Sequence, residues 1–153
     1  MLFFAGTILV WLIDQTTKWL VHNSLYLGQS IPLLGQYLSL TYTRNTGAAF
    51  SMFVGYSDVL ALFGLAVISL IIYAHFRVPN KHRLTQLGLM CLLGGSLGNL
   101  TDRFYRGFVV DFIDFHFWPV FNFADMMINL GVFFIILSFL NQERKYAAHN
   151  HPR

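Results

Sequence analysis

The sequence predicts an α-helical membrane protein with four transmembrane helices, both termini in the cytoplasm and a small β element in the first outer loop. Hydrophobic residues make up 56% of the 153 residues and charged residues only 11%, whereas a typical soluble domain is about 25% charged. A helix that crosses the hydrocarbon core needs about 20 mostly apolar residues. Four segments meet or nearly meet this length, namely residues 2–20, 59–76, 84–104 and 121–140. The chain is therefore predicted to be a single polytopic membrane domain over residues 1–153.

The basic residues set the predicted orientation. Most of them lie in the loop between the second and third helices and in the C-terminal tail, as Arg77, Lys81, Arg83, Arg144, Lys145 and Arg153. An excess of Lys and Arg marks cytoplasmic loops, so this loop and both termini are placed inside. The aspartates lie towards the other face, as Asp14, Asp58, Asp102, Asp111, Asp114 and Asp125. This concentration of acids at the outer face is the first indication of chemistry.

The first helix carries one acid and one base within its predicted span. Asp14 and Lys18 are four residues apart, so they share a helix face in the order that favours an ion pair. Ionisable groups inside a span are costly unless they are paired or hydrated. We interpret these two residues as an ion pair that orients the helix near the interface, in preference to a catalytic role for Lys18.

The first outer loop, residues 22–58, contains a strand pattern. Apolar and polar side chains alternate in it, with Leu38, Leu40 and Tyr42 on one face and Ser39, Thr41 and Thr43 on the other. A period of two is typical of a half-buried strand. The pattern predicts a small β element that lies on the outer membrane surface.

The third helix combines a small-residue surface with a polar outer end. The small residues are Gly94, Gly95, Ser96 and Gly98, and such surfaces let helices pack closely. Asn99, Asp102 and Arg103 follow at spacings that place them on one face of the helix. Asp102 and Arg103 alone are compatible with an interfacial ion pair, but Asn99 favours a polar site at this end.

The fourth helix carries a polar stripe on an otherwise apolar surface. Asn122, Asp125 and Asn129 repeat at i, i+3 and i+7, so the stripe is predicted to face the bundle or a water-filled cavity. No basic residue precedes Arg144 on this helix, and Asp125 therefore has no local counter-ion. The helix dipole also favours an acid near a helix start, but it does not account for the two asparagines.

Residues 107–118, between the third and fourth helices, hold Asp111, Asp114 and His116 among aromatic side chains. The aromatic residues are typical of an amphipathic segment anchored at the membrane interface. Two carboxylates in a dry site share a proton, so one can activate water while the other polarises a carbonyl group. Asp125 with either Asp111 or Asp114 is the candidate dyad of a metal-free aspartic peptidase. The residues alone leave the choice between Asp111 and Asp114 open.

Other function classes fit the sequence less well. A metal site of Asp111, Asp114 and His116 is the main alternative, but the usual zinc-ligand spacings are missing. No serine in the predicted spans has an obvious His or Lys partner, which disfavours a serine nucleophile, and an ion-coupled carrier is disfavoured without inverted repeats or broken helices. The single Cys91 excludes an internal disulfide. The scattered charges, with a net value of +3, do not form a nucleic-acid-binding surface.

Five motifs in fixed order extend from the first helix to the fourth. They are Asp14-Gln-Thr-Thr-Lys18, Arg44-Asn-Thr-Gly-Ala-Ala-Phe50, Gly94-Gly-Ser-Leu-Gly-Asn-Leu-Thr-Asp-Arg103, Gly107-Phe-Val-Val-Asp111-Phe and Phe121-Asn-Phe-Ala-Asp125. With these motifs the chain resembles the lipoprotein signal peptidase family, also called signal peptidase II. Ser96 stands where the family usually has Ala, and the stretch from Asp111 to Asp125 is short for the family.

The resemblance implies a role for each site residue. It places the catalytic pair at Asp111 and Asp125 and leaves Asp114 as a non-catalytic neighbour. Residues that hold the substrate backbone or order the pair would be Asn45, Asn99, Arg103 and Asn122. Supporting or substrate-contacting positions would be Asp14, Lys18 and Asp102. Gly47 would allow close backbone approach in the outer loop.

The resemblance also implies the reaction and its setting. The substrate would be a bacterial prolipoprotein whose lipobox cysteine already carries diacylglycerol, and the cut would fall just before that cysteine. The enzyme would act without a cofactor or metal, as a monomer in the bacterial inner membrane with its site near the extracytoplasmic face. Its partners would be this substrate and membrane lipid, not nucleic acid.

Overall fold

Four helices and a three-stranded sheet make up the described part of the chain. The computed structural model describes residues 1–47 and 56–150, with side chains up to residue 144. In chain order the elements are α1 (Leu2–Ser24), β1 (Ser30–Leu34), β2 (Leu38–Asn45), α2 (Ser57–Arg77), α3 (Arg83–Arg106), β3 (Val109–Asp114) and α4 (Phe123–Asn150). Residues 48–50 of the outer-loop motif, the side chain of Lys145 and Arg153 lie outside the described residues.

Helix α3 lies at the centre of the bundle and packs against the other three helices. Glycines make this possible, because a Cβ at Gly94 would overlap Val10 of α1, and a Cβ at Gly95 would overlap the carbonyl oxygen of Ala124 in α4. Gly88 of α3 meets Gly131 of α4 in the same way. The close packing predicted from the small-residue surface therefore occurs on two sides of α3. On its third side, apolar residues of α2 and α3 form a buried cluster of Ala61, Ile68, Ile71, Leu89, Leu93 and Leu100.

The helices differ in their polarity. Among the described residues, two helical segments are long and apolar enough to cross a membrane, Ser57–Arg77 with mean hydropathy 2.4 and Phe123–Arg144 with 2.1. Helices α1 and α3 are less apolar because they contribute polar residues to the interior, including the fully buried Asp14, Lys18 and Asp102. Of the four predicted spans, those in α2 and α4 are therefore the ones whose length and composition suffice to cross a membrane.

The sheet has the antiparallel order β1-β2-β3. The predicted strand is present as β2, but its alternation breaks because the pairing with β3 shifts register between Leu40 and Thr43. The irregularity brings Ser39 and Tyr42 to buried positions, although the simple alternation predicts them on opposite faces. Tyr42 then packs with Val21, Val110 and Phe112 in a second core cluster. This cluster joins the sheet to the outer end of α1.

The structure differs from the prediction that residues 107–118 form an amphipathic interfacial segment. The interfacial segment predicted from its aromatic residues is a strand over Val109–Asp114, since pairing with β2 satisfies its backbone. Gly107 ends α3 in the left-handed region, with φ 74°, and turns the chain into the strand. Beyond β3 the chain folds back, and Phe121 pairs with Ile113. This turn delivers the start of α4 to the strand that carries Asp111.

Candidate active site

Two aspartates from different elements meet where β3 and α4 come together. Asp111 lies in the middle of β3 and is only 2% exposed, and Asp125 lies in the first turn of α4, where it is half-buried. Asp114 is three residues beyond Asp111 on the same strand, and odd spacings point to opposite faces of a sheet. Asp111 therefore faces the start of α4 and Asp114 faces away from it.

The sequence around Asn122 builds a helix cap that also orders the site. Asn122 directly precedes α4, and its Oδ1 accepts a hydrogen bond of 3.0 Å from the Asp125 N–H. In return, Asp125 Oδ2 accepts a hydrogen bond of 3.3 Å from the Asn122 N–H. This reciprocal pair is a capping box. The sequence shows the pattern of such a box, because the capping residue Asn122 is followed three positions later by the acid Asp125.

Side-chain amides hold both carboxylates. Asp111 Oδ1 accepts from Asn122 Nδ2 at 2.6 Å, and Asp111 Oδ2 accepts from Asn45 Nδ2 at 3.0 Å. Asp125 Oδ1 accepts from Asn99 Nδ2 at 2.7 Å. The donors are neutral, so they fix the geometry of the two acids without cancelling their charge.

The protonation of Asp111 follows from this environment. Burial raises the pKa of Asp111 to about 7, and the negative charge of Asp125 acts in the same direction. The hydrogen bonds from Asn45 and Asn122 oppose the shift without removing it. A carboxyl group with a pKa near 7 exchanges its proton readily at neutral pH, as general acid–base chemistry requires.

A second, charged cluster lies beside the first. Lys18 Nζ is 2.9 Å from Asp14 Oδ2 and 3.4 Å from Asp102 Oδ2, and all three side chains are fully buried. The ion pair predicted between Asp14 and Lys18 therefore forms. Gln15 Nε2 also donates to Asp14 Oδ2 at 3.1 Å, and Arg106 pairs with Asp102 from the next turn of α3.

Asp102 does not pair with Arg103, contrary to the simplest interpretation of the third helix. Adjacent residues point about 100° apart on a helix, so Asp102 turns inward while Arg103 reaches the outer loop. Arg103 Nη2 donates to the carbonyl oxygen of Gly47 at 3.0 Å, and its Nη1 donates to that of Asn99 at 3.3 Å. The Gly47 N–H donates to Asn45 Oδ1 at 2.9 Å. Arg103 thereby holds the loop segment that carries Asn45.

The charged cluster and the aspartate pair are joined through one amide. Lys18 Nζ donates to Asn99 Oδ1 at 2.8 Å. Because an ammonium group has no acceptor, the atom of Asn99 that faces Lys18 must be its oxygen. The NH₂ group of Asn99 then faces Asp125. Lys18 therefore sets the direction in which Asn99 donates.

Asp14 supports the site from the opposite side. Its Oδ1 accepts a 2.9 Å hydrogen bond from the Ala124 N–H, so a carboxylate of α1 satisfies a free backbone donor at the start of α4. Gly98 lies against this carboxylate, and a Cβ at that position would overlap it. The packing of α1, α3 and α4 around Asp14 thus fixes the position of the first turn of α4, which carries Asp125.

The other acid of β3 belongs to a separate surface cluster. Asp114 Oδ2 accepts from the Thr41 hydroxyl at 2.8 Å, and its Oδ1 accepts from the His116 N–H at 2.8 Å. Partial burial alone would raise the pKa of Asp114, but these hydrogen bonds lower it below its ordinary value. His116 has φ 64° and meets Ser39 Oγ through Nε2 at 3.1 Å. Asp111 is not part of this cluster, so the described residues do not form the metal site that Asp111, Asp114 and His116 offered as an alternative.

Some outcomes differ from the sequence-based expectations. Asn129 is exposed on α4, so the polar stripe leaves the bundle interior after Asp125. Arg106 and Gln15 were not predicted as site residues, although Arg106 follows Asp102 at the i+4 spacing of a helical ion pair. Within the described ranges no group of three or more His, Cys, Asp or Glu residues is arranged to hold a metal ion.

Comparison with known proteins finds relatives that match nearly the whole chain. Residues 6–141 match the family described as signal peptidase (SPase) II. The chain is 41% identical over 138 residues to a lipoprotein signal peptidase of Desulfitobacterium hafniense, which covers 90% of this chain and 91% of the relative. A lipoprotein signal peptidase of Nostoc sp. is 38% identical over 154 residues, with coverages of 99% and 96%.

Solved structures show the same fold. One is described as a bacterial membrane enzyme determined by the in meso method at 2.3 Å. It has a TM-score of 0.85 and 28% identity, and the match covers 92% of this chain and 88% of that chain. A second, at 1.9 Å and with the same description, has a TM-score of 0.80 and 29% identity over 90% and 92%.

Proposed function

The chain belongs to the signal peptidase II family, and we propose that it is an aspartic endopeptidase that removes signal peptides from diacylglyceryl-modified prolipoproteins. The cut falls on the N-terminal side of the lipidated cysteine. The observation that carries this proposal is the convergence of Asp111 and Asp125 on one set of amide donors from Asn45, Asn99 and Asn122. Two carboxyl groups held in this way supply the acid and the base of peptide hydrolysis.

The mechanism uses one proton shared by the pair. Asp111 holds it, because burial and the charge of Asp125 raise the pKa of Asp111 to about 7. Asp125 takes a proton from a water molecule, and the water oxygen bonds to the carbonyl carbon of the scissile peptide while Asp111 gives its proton to the carbonyl oxygen. The resulting diol collapses as Asp125 passes its proton to the departing nitrogen. The C–N bond breaks, and a diol proton returns to Asp111.

The protein crosses the inner membrane four times, with both termini in the cytoplasm. Support comes from the two strongly apolar segments in α2 and α4, between which α3 packs. The charged groups of α1 and α3 turn inward and neutralise one another, which lowers the cost of placing those helices in lipid. The basic residues 77, 81, 83 and 144 lie at one end of the bundle, and the positive-inside rule assigns that end to the cytoplasm.

A lipid-bearing peptide reaches such a site from within the bilayer. Exposed aromatic residues surround the outer ends of the elements that form the site, and they include Trp19, Tyr26, Tyr37, Phe104, Tyr105, Phe117 and Trp118. Aromatic side chains are favoured at the membrane–water interface. The acyl chains of the substrate remain in lipid while its peptide enters between the sheet and α4.

The test is cleavage of a diacylglyceryl-modified lipobox peptide by the purified protein in detergent, with and without chelator. Asp111→Asn and Asp125→Asn should each lower turnover by about 10³-fold or more, because each removes a proton-transfer group. The matched control is Asp58→Asn, an exposed acid at the start of α2, which should cleave like the wild type. Cleavage retained in either dyad variant, or lost in chelator, would overturn the aspartic assignment.

The pH profile tests the assignment of the proton to Asp111. Since the reaction needs Asp111 protonated, kcat/KM should fall as the pH rises through about 7, the pKa of Asp111. The measurement is initial rate against pH at low substrate concentration. A rate that continues to rise above this pH would show that Asp111 does not act as the acid.

A further inference from the structure

An unpartnered amide lies one helical turn from the proposed base. Asn129 is exposed on α4, and within the described ranges no hydrogen bond reaches its side chain. An amide that faces hydrocarbon without a partner costs at least a few kcal/mol in transfer free energy. Polar residues inside membrane segments are for this reason default functional candidates. The mechanism above makes no use of Asn129.

The position of Asn129 around α4 separates it from the packed core. The side of α4 that packs on α3 is formed by Ala124, Ile128, Gly131, Ile135 and Ser138. At 3.6 residues per turn, Asn129 lies roughly 40° from Asp125 around the helix and far from that packed side. Asp125 therefore stands at the border of the packed side, and Asn129 lies on the adjoining open side.

The open side of α4 is otherwise apolar. Its exposed residues are Met126, Leu130, Val132, Phe133, Ile136, Phe139 and Leu140. Lipid alone would be matched by an unbroken apolar surface, so the single amide indicates an occupant that brings a hydrogen-bonding group to this depth. The open side is continuous with Asp125, and the peptide that Asp125 acts on is therefore its occupant.

The spacing identifies which part of the peptide is involved. Four residues of helix rise about 6 Å, and an extended chain covers that distance in about two residues. The peptide around a cleaved bond must leave the helical form, which frees backbone N–H and C=O groups that need partners inside the membrane. Under the proposed topology the inward direction along α4 leads towards the signal peptide and away from the lipidated cysteine.

We propose that Asn129 binds and positions the substrate by hydrogen-bonding the backbone of the signal peptide about two residues before the cleaved bond. This proposal rests on the proposed function. Asn129 binds the unwound segment and positions it, and it takes no part in proton transfer. Its removal raises KM and leaves kcat close to the wild-type value.

The experiment couples a change in the enzyme to a change in the substrate backbone. The lipobox peptide is made with an ester in place of one backbone amide, at each of the three positions before the cleaved bond in turn. In the wild type, one of these esters should lower kcat/KM by about tenfold, the effect of one hydrogen bond. In Asn129→Leu, the same ester should cause no further loss.

Controls separate this inference from the proposed function. Asn141→Leu makes the same substitution on an exposed part of α4 about 18 Å further along the helix, and it should keep the full ester effect. The inference is overturned if Asn129→Leu matches the wild type, if it loses kcat rather than affinity, or if it changes only the oligomeric state. In each of these outcomes wild-type cleavage that depends on Asp111 and Asp125 still supports the proposed function, whereas a wild type that cuts no peptide overturns both.

Discussion

Two pairs of aspartates lie side by side in this protein and are held in opposite ways. Asp14 and Asp102 share the buried Lys18, and Arg106 completes the neutralisation of Asp102. Asp111 and Asp125 receive only amide and backbone donors, and in the described part of the chain neither has a Lys or Arg within ion-pair distance. The difference shows how one residue type supports two roles. Carboxylates whose charge is neutralised by Lys18 and Arg106 hold the helices together. Carboxylates without a basic partner can exchange a proton.

Removal of Lys18 is the most severe test of this comparison. Lys18→Met leaves Asp14 and Asp102 buried without their shared cation, and loss of one partner from a buried ion pair costs about 3–5 kcal/mol. Asn99 also loses the donor that fixes its orientation towards Asp125. We expect a large fall in thermal stability and in cleavage, measured on the protein in detergent.

A double variant tests whether uncompensated charge causes the loss of stability in Lys18→Met. Asp14→Asn keeps an oxygen that can accept from the Ala124 N–H while it removes one negative charge. Lys18→Met combined with Asp14→Asn should therefore be more stable than Lys18→Met alone, a non-additive result typical of groups in contact. If the two losses simply add, the cluster is not held by charge compensation.

The free energy of unfolding should depend on pH mainly through Asp111, one of the two aspartates that have no basic partner. The pKa of Asp111 rises from 3.8 to about 7 on folding, so between these values the folded state keeps a proton that the unfolded state has released. Stability is therefore lost as the pH rises from about 4 to about 7, by at most about 4 kcal/mol. Unfolding measured against pH should show this slope in the wild type, and Asp111→Asn should remove it. An unchanged slope in Asp111→Asn would assign the proton to another group.

The sequence predicts the aspartates of both pairs as site residues, but it does not predict which partners each aspartate has. Helical spacing is enough to join Asp14 with Lys18, because both lie on one element. The partners of Asp102 come from α1 and from its own helix, and only the packing of α3 decides between Lys18, Arg103 and Arg106. Asp111 and Asp114 are indistinguishable by composition, and the strand that turns them to opposite faces was not predicted.

The third strand was missed for a physical reason. In residues 109–114 the apolar and polar residues do not alternate, and both faces are buried at Val109, Val110, Asp111 and Phe112. Such a run lacks the alternation that reveals a half-buried strand, and its aromatic neighbours resemble an interfacial anchor. The pairing with β2, which spans more than 60 residues of sequence, is a tertiary property.

A smaller effect tests the fit around Asp14. In Gly98→Ala, the new Cβ overlaps the Asp14 carboxylate and comes within 3.3 Å of the Ala124 Cβ, so α1 or α4 must shift. Overpacking of this kind costs about 1–3 kcal/mol, and the shift should also weaken cleavage, because α4 carries Asp125. Gly64→Ala is the matched control, since its nearest neighbour is Leu100 Cδ1 at 3.4 Å. That variant should stay within about 1 kcal/mol of the wild type, and equal losses in the two would exclude the Asp14 contact as the cause.

The smallest effect should come from the acid that the strand turns away from the site. Asp114→Asn can still accept at one oxygen, so it loses one of the hydrogen bonds from Thr41 and the His116 N–H, worth about 1 kcal/mol. Cleavage should stay within about threefold of the wild type, because neither α4 nor Asp111 depends on this contact. A variant that folds but does not cleave would move the dyad from Asp111 to Asp114, and Asp111→Asn would then have to retain activity. The two substitutions change the same atoms three residues apart on one strand, so any difference between them measures the environment and not the chemistry of the side chain.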